Sequence, residues 1–262
     1  MSDPFENNAD LVACAKLVQQ GDPDRFAAAM AAPVSARTVL FPIYAFNIEV
    51  SRAPWMTQEP MIAQMRLQWW ADALEEIRAG GMVRRHEVVT PLALAIGPDG
   101  AVRLQDLVEA RRLDIEKAPF EDEAALLAYL ERTTGALALS AAEALGLRGS
   151  FDDLSAWGRA AGLVRYLQAV PELEARGKLP LPDGRADALA RLAEAELQSL
   201  QAVGGLRGLK RQLGKVPSAA ALEFWQVPAL LRQIVKDPGA VAEARLGLSE
   251  FGKRWRLLLA AS

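Results

Sequence analysis

The sequence predicts an all-α protein, and three observations carry this prediction. Apolar residues recur at spacings of three and four along almost the whole chain, which is the period of an amphipathic helix. Runs of β-branched residues, which would favour strands, are few. Alanine and leucine favour helices, and 51% of the residues are hydrophobic. The composition therefore indicates a helical globular protein with a substantial core.

The same periodicity places the helices, and segments containing glycine or proline separate them. We predict helices over residues 9–20, 22–31, 34–53, 58–79, 101–117, 122–146, 151–173, 185–202, 218–233 and 244–260. None of the intervening segments is long or polar enough to be a domain linker. We therefore expect residues 1–262 to form a single domain.

The predicted helix 58–79 shows how the core is expected to form. Its apolar stripe consists of Ile62, Met65, Trp69, Ala73 and Ile77, widened by Leu67, Trp70 and Leu74. We expect this stripe to face the core, although the Trp69–Trp70 pair is also suited to the wall of an apolar ligand cavity.

The last predicted helix mixes cationic and large apolar side chains in the segment FGKRWRLLLAAS. Two interpretations are open for it. It is either a packed terminal helix with a solvated face, or a helix that touches an anionic membrane surface.

Composition and motif searches exclude several classes of function. A formal net charge of −3 provides no overall basic field, so we expect no nucleic-acid partner. The single cysteine, Cys14, excludes an internal disulfide and a cysteine-rich zinc site, and the single histidine, His86, excludes a histidine-rich metal site. The chain has no GxSxG, Walker or GxGxxG motif.

The start of the chain and its hydropathy bear on localisation. The acidic stretch MSDPFENNAD is unlike a signal peptide, and no apolar run approaches the roughly 20 residues of a membrane span. We therefore expect a cytoplasmic protein that is soluble or peripheral to the inner membrane.

An all-helical protein can bind a diphosphate through Mg²⁺ held by carboxylates one helical turn apart. Neighbouring acids such as Asp114 with Glu116, Asp152 with Asp153 and Glu172 with Glu174 do not have that spacing within an apolar helix interior. Helix starts and exposed faces explain them better.

The order of segments resembles the squalene and phytoene synthase family over most of the chain. The resemblance begins at YAF, residues 44–46, continues through LDIEKAPFEDEAALLAYLERTTGALA at 113–138, and reaches GLVRYLQAVPELEARGKLPLP, which starts at Gly162. It implies an isoprenoid-synthase-like helical bundle around a central cavity.

The family's acidic motifs are missing. In the register set by YAF, the first metal-binding aspartate of active members falls on Ser51 and the second on Trp55, with Arg52 between them. These side chains cannot replace anionic ligands, and Arg52 would repel Mg²⁺. The second motif is shortened and has lost its aspartates, while Pro171 is expected to break the helix that would present Glu172 or Glu174.

One branch of the family shares these departures. The stretches AFNIEVSRA, MRLQWWADALEEI and GLVRYLQAVP resemble the branch that contains a mitochondrial respiratory complex I assembly factor and its bacterial relatives. That branch is regarded as catalytically degenerate.

The polar residues expected in the cavity have two interpretations. In the first, Glu49 pairs with Arg52, Arg66 or Arg165 and plugs the former active site beside Asn47. In the second, a metal-free anion pocket beneath an apolar cavity holds an isoprenoid diphosphate, a quinone or a phospholipid head group. Its cationic residues would be Arg52, Arg66, Arg165 and Lys178.

Other residues near the cavity also leave alternatives open. Tyr129 either faces the cavity or is a core tyrosine with a satisfied hydroxyl. Gly135, Gly158 and Gly162 either leave room for an apolar tail or allow helices to approach closely.

The resemblance leads to three hypotheses. The first is a non-catalytic protein with no cofactor, acting in assembly, with respiratory complex I subunits as expected partners. The second is an active Mg²⁺-dependent prenyltransferase that condenses two prenyl diphosphates head to head. The third is a carrier of an isoprenoid, a quinone or another lipid.

Overall fold

The structure, a computed structural model, describes residues 5–6, 8–149 and 151–262. The first four residues of the acidic start discussed above lie outside this range. Within it the chain is helical and contains no strand. The predicted all-α fold class is confirmed.

Fourteen α-helices follow one another in the described part of the chain. They are α1 Ala9–Gly21, α2 Pro23–Ala31, α3 Val34–Arg52, α4 Pro60–Arg78, α5 Val89–Ala95, α6 Pro98–Ala110, α7 Glu123–Leu130, α8 Ala136–Ala144, α9 Asp152–Ala175, α10 Ala186–Ala202, α11 Gly205–Leu213, α12 Val227–Lys236, α13 Gly239–Ala242 and α14 Glu250–Ala261. Short 3-10 segments cover Ala53–Trp55, Arg111–Ile115 and Pro217–Phe224, and a π-helical turn, Glu131–Gly135, joins α7 to α8.

Side-chain caps fix several helix starts. Asn8, Asp22 and Asp122 accept hydrogen bonds from backbone N–H groups in the first turns of α1, α2 and α7. Ser249 does the same for α14. These caps are local features, which explains why the predicted starts of α1, α2 and α7 fall within one residue of those observed.

Helix α3 is the centre of the bundle. Residues 40–48 of this helix are all buried, and α1, α2, α5 and α8 pack against it. A helix that is apolar on every side has no amphipathic stripe and belongs in the core. Its polar C-terminal end, from Asn47 onward, is where the central cavity begins.

Three helices were not predicted: α5, α11 and α13. Pro91 lies in the first turn of α5, where proline is tolerated because that N–H has no helical partner. Gly204 precedes α11 and Gly205 is its first residue, and both adopt positive φ. The two glycines therefore do mark the end of α10, as predicted, but a new helix begins directly after that break.

Two predicted helices differ from the observed ones, one in its helix type and one in where it starts. The segment predicted as helix 218–233 is a 3-10 stretch followed by α12, and the segment predicted as 244–260 becomes helical only at Glu250. The prediction that Pro171 breaks its helix was wrong, because α9 runs through Pro171 to Ala175. A proline near the end of a long helix removes one hydrogen bond, and the packed helix retains its other bonds.

The predicted stripe of α4 is only partly correct. Leu67, Trp70 and Leu74 are buried, whereas Met65 and Trp69 are exposed. Ile62 is also exposed, so the first half of the helix has a large apolar surface open to solvent. The helical spacing of the apolar residues was predicted correctly, but that spacing does not determine how much of α4 neighbouring helices cover.

No helix among the described residues combines the length and the apolar character needed to cross a bilayer.

Candidate functional site

A polar cavity of ≈ 610 Å³ lies among the C-terminal end of α3, the Arg111–Ile115 segment, α7 with its π-helical turn, and α9. Six cationic side chains line it: Arg25, Arg52, Arg111, Arg165, Arg176 and Lys178. Three carboxylates line it as well: Asp22, Asp114 and Glu172. Positive charge therefore predominates on its wall.

The end of α3 and the 3-10 turn that follows it contribute the first wall. Ser51, Arg52 and Trp55 all face the cavity. The Ser51 hydroxyl donates a hydrogen bond to the carbonyl oxygen of Ile48, at 3.0 Å, within its own helix. Arg52 forms no ion pair with any described residue, so its charge is free to meet an anion.

Trp55 packs against two cations from the loop after α9. The guanidinium carbon of Arg176 lies 5.3 Å from the centre of the Trp55 ring, and Lys178 Nζ lies 5.0 Å from it. Burial lowers the pKa of Lys178, although Asp114 and Glu116 act in the opposite direction. An anion beside Lys178 would favour its charged form.

A buried ion-pair network lies behind the cavity. Arg25 Nε donates to Glu223 Oε2 at 2.6 Å, and Arg165 Nη2 donates to the same oxygen at 3.2 Å. Arg25 also pairs with Asp22 at 3.3 Å. Burial by itself lowers the pKa of Arg25, but Glu223 and Asp22 outweigh it and raise the pKa. The network holds α2, α9 and the Pro217–Phe224 segment together.

A second network lies in the middle of the chain, where the Tyr129 hydroxyl donates to Asp114 Oδ1 at 2.8 Å. Arg111 Nη1 donates to the Tyr129 hydroxyl oxygen at 2.7 Å and to Asp114 Oδ2 at 3.2 Å. Burial raises the pKa of Tyr129 well above its usual range. Tyr129 therefore satisfies both interpretations: it lines the cavity, and its hydroxyl is hydrogen bonded.

These contacts do not suit the magnesium cluster of an isoprenoid synthase. Each carboxylate on the cavity wall is held by an arginine: Asp22 by Arg25, Asp114 by Arg111, and Glu172 by Arg176. Among the described residues, no three histidine, cysteine or acidic side chains are grouped so as to bind a metal ion. A cation would have to displace arginines of the same charge sign to reach these oxygens.

The structure brings together only part of the predicted anion pocket. Arg52, Arg165 and Lys178 line the central cavity, as do Asn47 and Tyr129. Asn47 is buried there.

Arg66 and Glu49 do not line the central cavity and instead contribute to a smaller neighbouring pocket of ≈ 320 Å³. Glu49 forms no ion pair with Arg52, Arg66 or Arg165 within the described part of the chain, so the predicted plug is wrong. Arg165 pairs with Glu223 instead. Glu49 follows the buried run of α3 but is itself only partly buried, which removes the need for a buried partner.

The tryptophan pair belongs to this smaller pocket too. Trp69, Trp70 and His86 form an aromatic cluster in which the ring centres lie 4.9 to 5.5 Å apart. Trp70 is buried and Trp69 is exposed. The pair therefore does not line the central cavity.

The three helix glycines serve close packing. A Cβ atom on Gly158 would lie 2.6 Å from the Cα atom of Gly135, and one on Gly162 would lie 2.8 Å from Thr134 Oγ1. Helix α9 thus lies directly against the π-helical turn, and of the three glycines only Gly162 also lines the central cavity.

Arg25, Arg111 and Glu223 were not predicted as site residues. Glu223 follows the apolar run PSAAAL, and Arg25 follows a helix cap, so each has an ordinary local explanation. A glutamate inside an apolar run was the available signal, because such a residue needs a cationic partner when buried.

Comparison with known proteins identifies the family. The family model for squalene/phytoene synthase matches residues 18–246. The chain belongs to the squalene/phytoene synthase family. Solved structures agree on the fold: a dehydrosqualene synthase in complex with ligand superposes with a TM-score of 0.76 at 16% identity, over 98% of each chain. Squalene synthase HpnC from Alicyclobacillus acidocaldarius gives a TM-score of 0.66 at 16% identity, over 94% of this chain and 98% of that one.

Curated relatives that are similar in sequence carry a different description. The human protein named NADH dehydrogenase (ubiquinone) complex I, assembly factor 6 is 26% identical over 173 residues, which are 64% of this chain and 52% of that protein. Its Drosophila melanogaster homolog is 32% identical over 167 residues, 60% of this chain and 50% of that protein. The matched region spans about half the length of these relatives.

Proposed function

We propose that this member of the squalene/phytoene synthase family is a non-catalytic protein that acts, as a single domain, in the assembly of respiratory complex I. The observation that carries the proposal is the state of the cavity carboxylates. Each is held by an arginine, and a metal-dependent diphosphate ionisation needs carboxylates that are free to bind Mg²⁺. The similarity to proteins named complex I assembly factor 6 is the reason for proposing complex I assembly as the process and complex I subunits as the partners.

The cavity itself supports a binding role within this function. Arg52 and Lys178 line it without a carboxylate partner among the described residues, and Arg165 Nη1 is buried with no hydrogen-bond partner there. An anionic group entering the cavity would satisfy all three. We propose that the bound molecule is an isoprenoid or lipid with an anionic head group, taken up without a metal cofactor. We also propose a cytoplasmic location, with at most peripheral contact to the inner membrane.

The assembly role is tested by deletion and complementation. A strain lacking the gene is expected to lose rotenone-sensitive NADH–quinone oxidoreductase activity in its membranes, and the wild-type gene restores it. The double variant Arg52→Gln, Lys178→Gln is expected to restore it only in part. The matched double variant Arg66→Gln, Lys236→Gln removes two cations that do not line the central cavity and is expected to restore activity fully. Full complex I activity in the deletion strain would refute the assembly role.

Loss of catalysis is tested with purified protein. Farnesyl or geranylgeranyl diphosphate, Mg²⁺ and a reductant are expected to give no squalene or phytoene above a no-protein blank, measured by mass spectrometry against an authentic synthase. Magnesium-dependent product formation would refute the non-catalytic assignment and support the prenyltransferase alternative.

A further inference from the structure

A second cavity differs in character from the central one. It is a groove of ≈ 970 Å³ lined by α11, by the start of α12 and by the C-terminal part of α14. Five cationic side chains line it and no aspartate or glutamate does: Arg207, Lys210, Arg211, Lys215 and Arg256. Leu206, Trp225 and Leu259 provide apolar wall. A groove of this volume is large enough for a small ligand or a head group.

No aspartate or glutamate side chain among the described residues offsets the positive charge of this groove. None of the five cations forms an ion pair with a described residue, and residues 197–222 contain no acidic side chain. Lys210 Nζ donates to the carbonyl oxygen of Ala260, which fixes α11 against the end of α14. Burial lowers the pKa of Lys210, and the charge of Arg207 lowers it further. By contrast, Arg245 pairs with both Asp237 and Glu243.

Helix α14 presents an apolar face to solvent beside the groove. Phe251 is 79% exposed, Trp255 54% and Leu258 62%, and Leu259 reaches from the same face into the groove. The spacings of four and three place Phe251, Trp255 and Leu258 along one side of the helix, and Leu259 borders that side. Ala260 is the only buried residue that α14 has. A helix with aromatic and leucine side chains on one side and basic side chains around it is typical of a membrane interface.

We propose that this surface, the basic groove together with the exposed face of α14, docks onto a bilayer that contains anionic phospholipid. The phosphate of a lipid head group enters the groove between Arg207, Arg211 and Arg256, and Phe251 and Trp255 insert at the boundary between head groups and acyl chains. This assigns a surface and a lipid chemistry to the peripheral membrane contact proposed above, and it holds whether or not the chain assists complex I.

Charge complementarity selects this partner over the alternatives. A nucleic acid would also be attracted by the cations, but it offers no apolar layer for the exposed Phe251, Trp255 and Leu258. A protein partner or a second copy of the chain would need an acidic surface with an apolar groove of its own. The interface of an anionic bilayer supplies phosphate and an apolar layer together.

Vesicle sedimentation tests the proposal. The wild-type protein is expected to bind vesicles of phosphatidylcholine with about 30% phosphatidylglycerol, to bind pure phosphatidylcholine weakly, and to be released by about 0.5 M salt. The variant Arg207→Gln, Arg211→Gln is expected to bind roughly 25-fold more weakly, since each basic side chain near an anionic surface contributes about fivefold. The control Lys16→Gln, Arg132→Gln removes two exposed cations outside the groove and is expected to bind like wild type.

Insertion is tested separately by fluorescence. Brominated phosphatidylglycerol vesicles are expected to quench part of the tryptophan emission of the wild type, and Trp255→Phe is expected to remove most of that quenching while binding persists. Several results would overturn the proposal: no vesicle binding at low salt, equal binding by the groove variant and wild type, or quenching that is unchanged in Trp255→Phe. Binding to duplex DNA, to soluble glycerol phosphate or to a second copy, in the absence of vesicle binding, would also overturn it.

Discussion

Neutralising Glu223 is expected to destabilise the protein strongly. Its carboxylate is 0% exposed and accepts hydrogen bonds from Arg25, which is 4% exposed, and from Arg165. Glu223→Gln preserves the shape of the side chain but removes its charge. Arg25 would then remain buried with one carboxylate, Asp22, at 3.3 Å.

The magnitude follows from the burial of the pair. Removing one partner of a buried ion pair costs about 3–5 kcal/mol, because the remaining charge is left in a poorly solvating environment. The glutamine oxygen can still accept from Arg25, and Asp22 still offsets part of its charge. We therefore expect the free energy of unfolding to fall by about 3 kcal/mol, the lower end of this range.

Urea unfolding followed by far-UV circular dichroism measures the change. The control is Arg191→Gln, which removes a solvent-exposed partner of Asp187 and is expected to leave the urea midpoint unchanged within error. The double variant Glu223→Leu, Arg25→Met removes both buried charges and is expected to be more stable than Glu223→Gln. If Glu223→Gln lies within about 1 kcal/mol of wild type, the argument from buried charge is refuted.

Three further predictions concern packing, hydrogen bonding and pH. Gly158→Ala is expected to destabilise the protein by about 1–3 kcal/mol in urea unfolding, because the new Cβ would lie 2.6 Å from the Cα atom of Gly135. Tyr129→Phe is expected to cost about 1–3 kcal/mol in the same assay, because it removes a buried donor from Asp114. For Asp22, burial raises the pKa, but Arg25 and Arg165 outweigh burial and lower it from 3.8. Its charged form therefore stabilises the fold above pH about 4, and the stability advantage of wild type over Asp22→Asn should shrink as the pH falls below that value.

Each of these predictions has its own check. Gly81→Ala, at a position where a Cβ meets nothing within 4 Å, should leave stability unchanged, and equal effects at both glycines would contradict the packing argument. A Tyr129→Phe variant as stable as wild type would mean that the hydrogen bond from Tyr129 to Asp114 makes no net contribution to the free energy of unfolding. If the stability difference between wild type and Asp22→Asn grew as the pH fell, the direction assigned to the Asp22 pKa shift would be wrong.

The sequence by itself determined the fold class, most helices and much of the cavity wall. Helical period and capping residues are local, so α1, α2, α3 and α10 were placed within a residue or two. The family resemblance, in the register of the YAF stretch, placed Ser51, Arg52 and Trp55 together. All three line the cavity because they follow one another at the end of α3 and in the 3-10 turn after it. The loss of aspartates from the two motifs that resemble the family's metal-binding motifs was likewise visible without a structure.

Only the tertiary structure decided which charges meet. Arg25 and Glu223 are separated by 198 positions along the chain, and the side chains near either of them give no sign of the other. The sequence suggested Glu49 as the buried carboxylate because its neighbours in α3 are apolar, but the solvent-facing side of that helix is set by the helices that pack on it. The same reason separates Arg66 from Arg165, and it exposes Met65 and Trp69 where the helical period predicted burial. A period identifies which residues share a face, whereas long-range packing decides what that face touches.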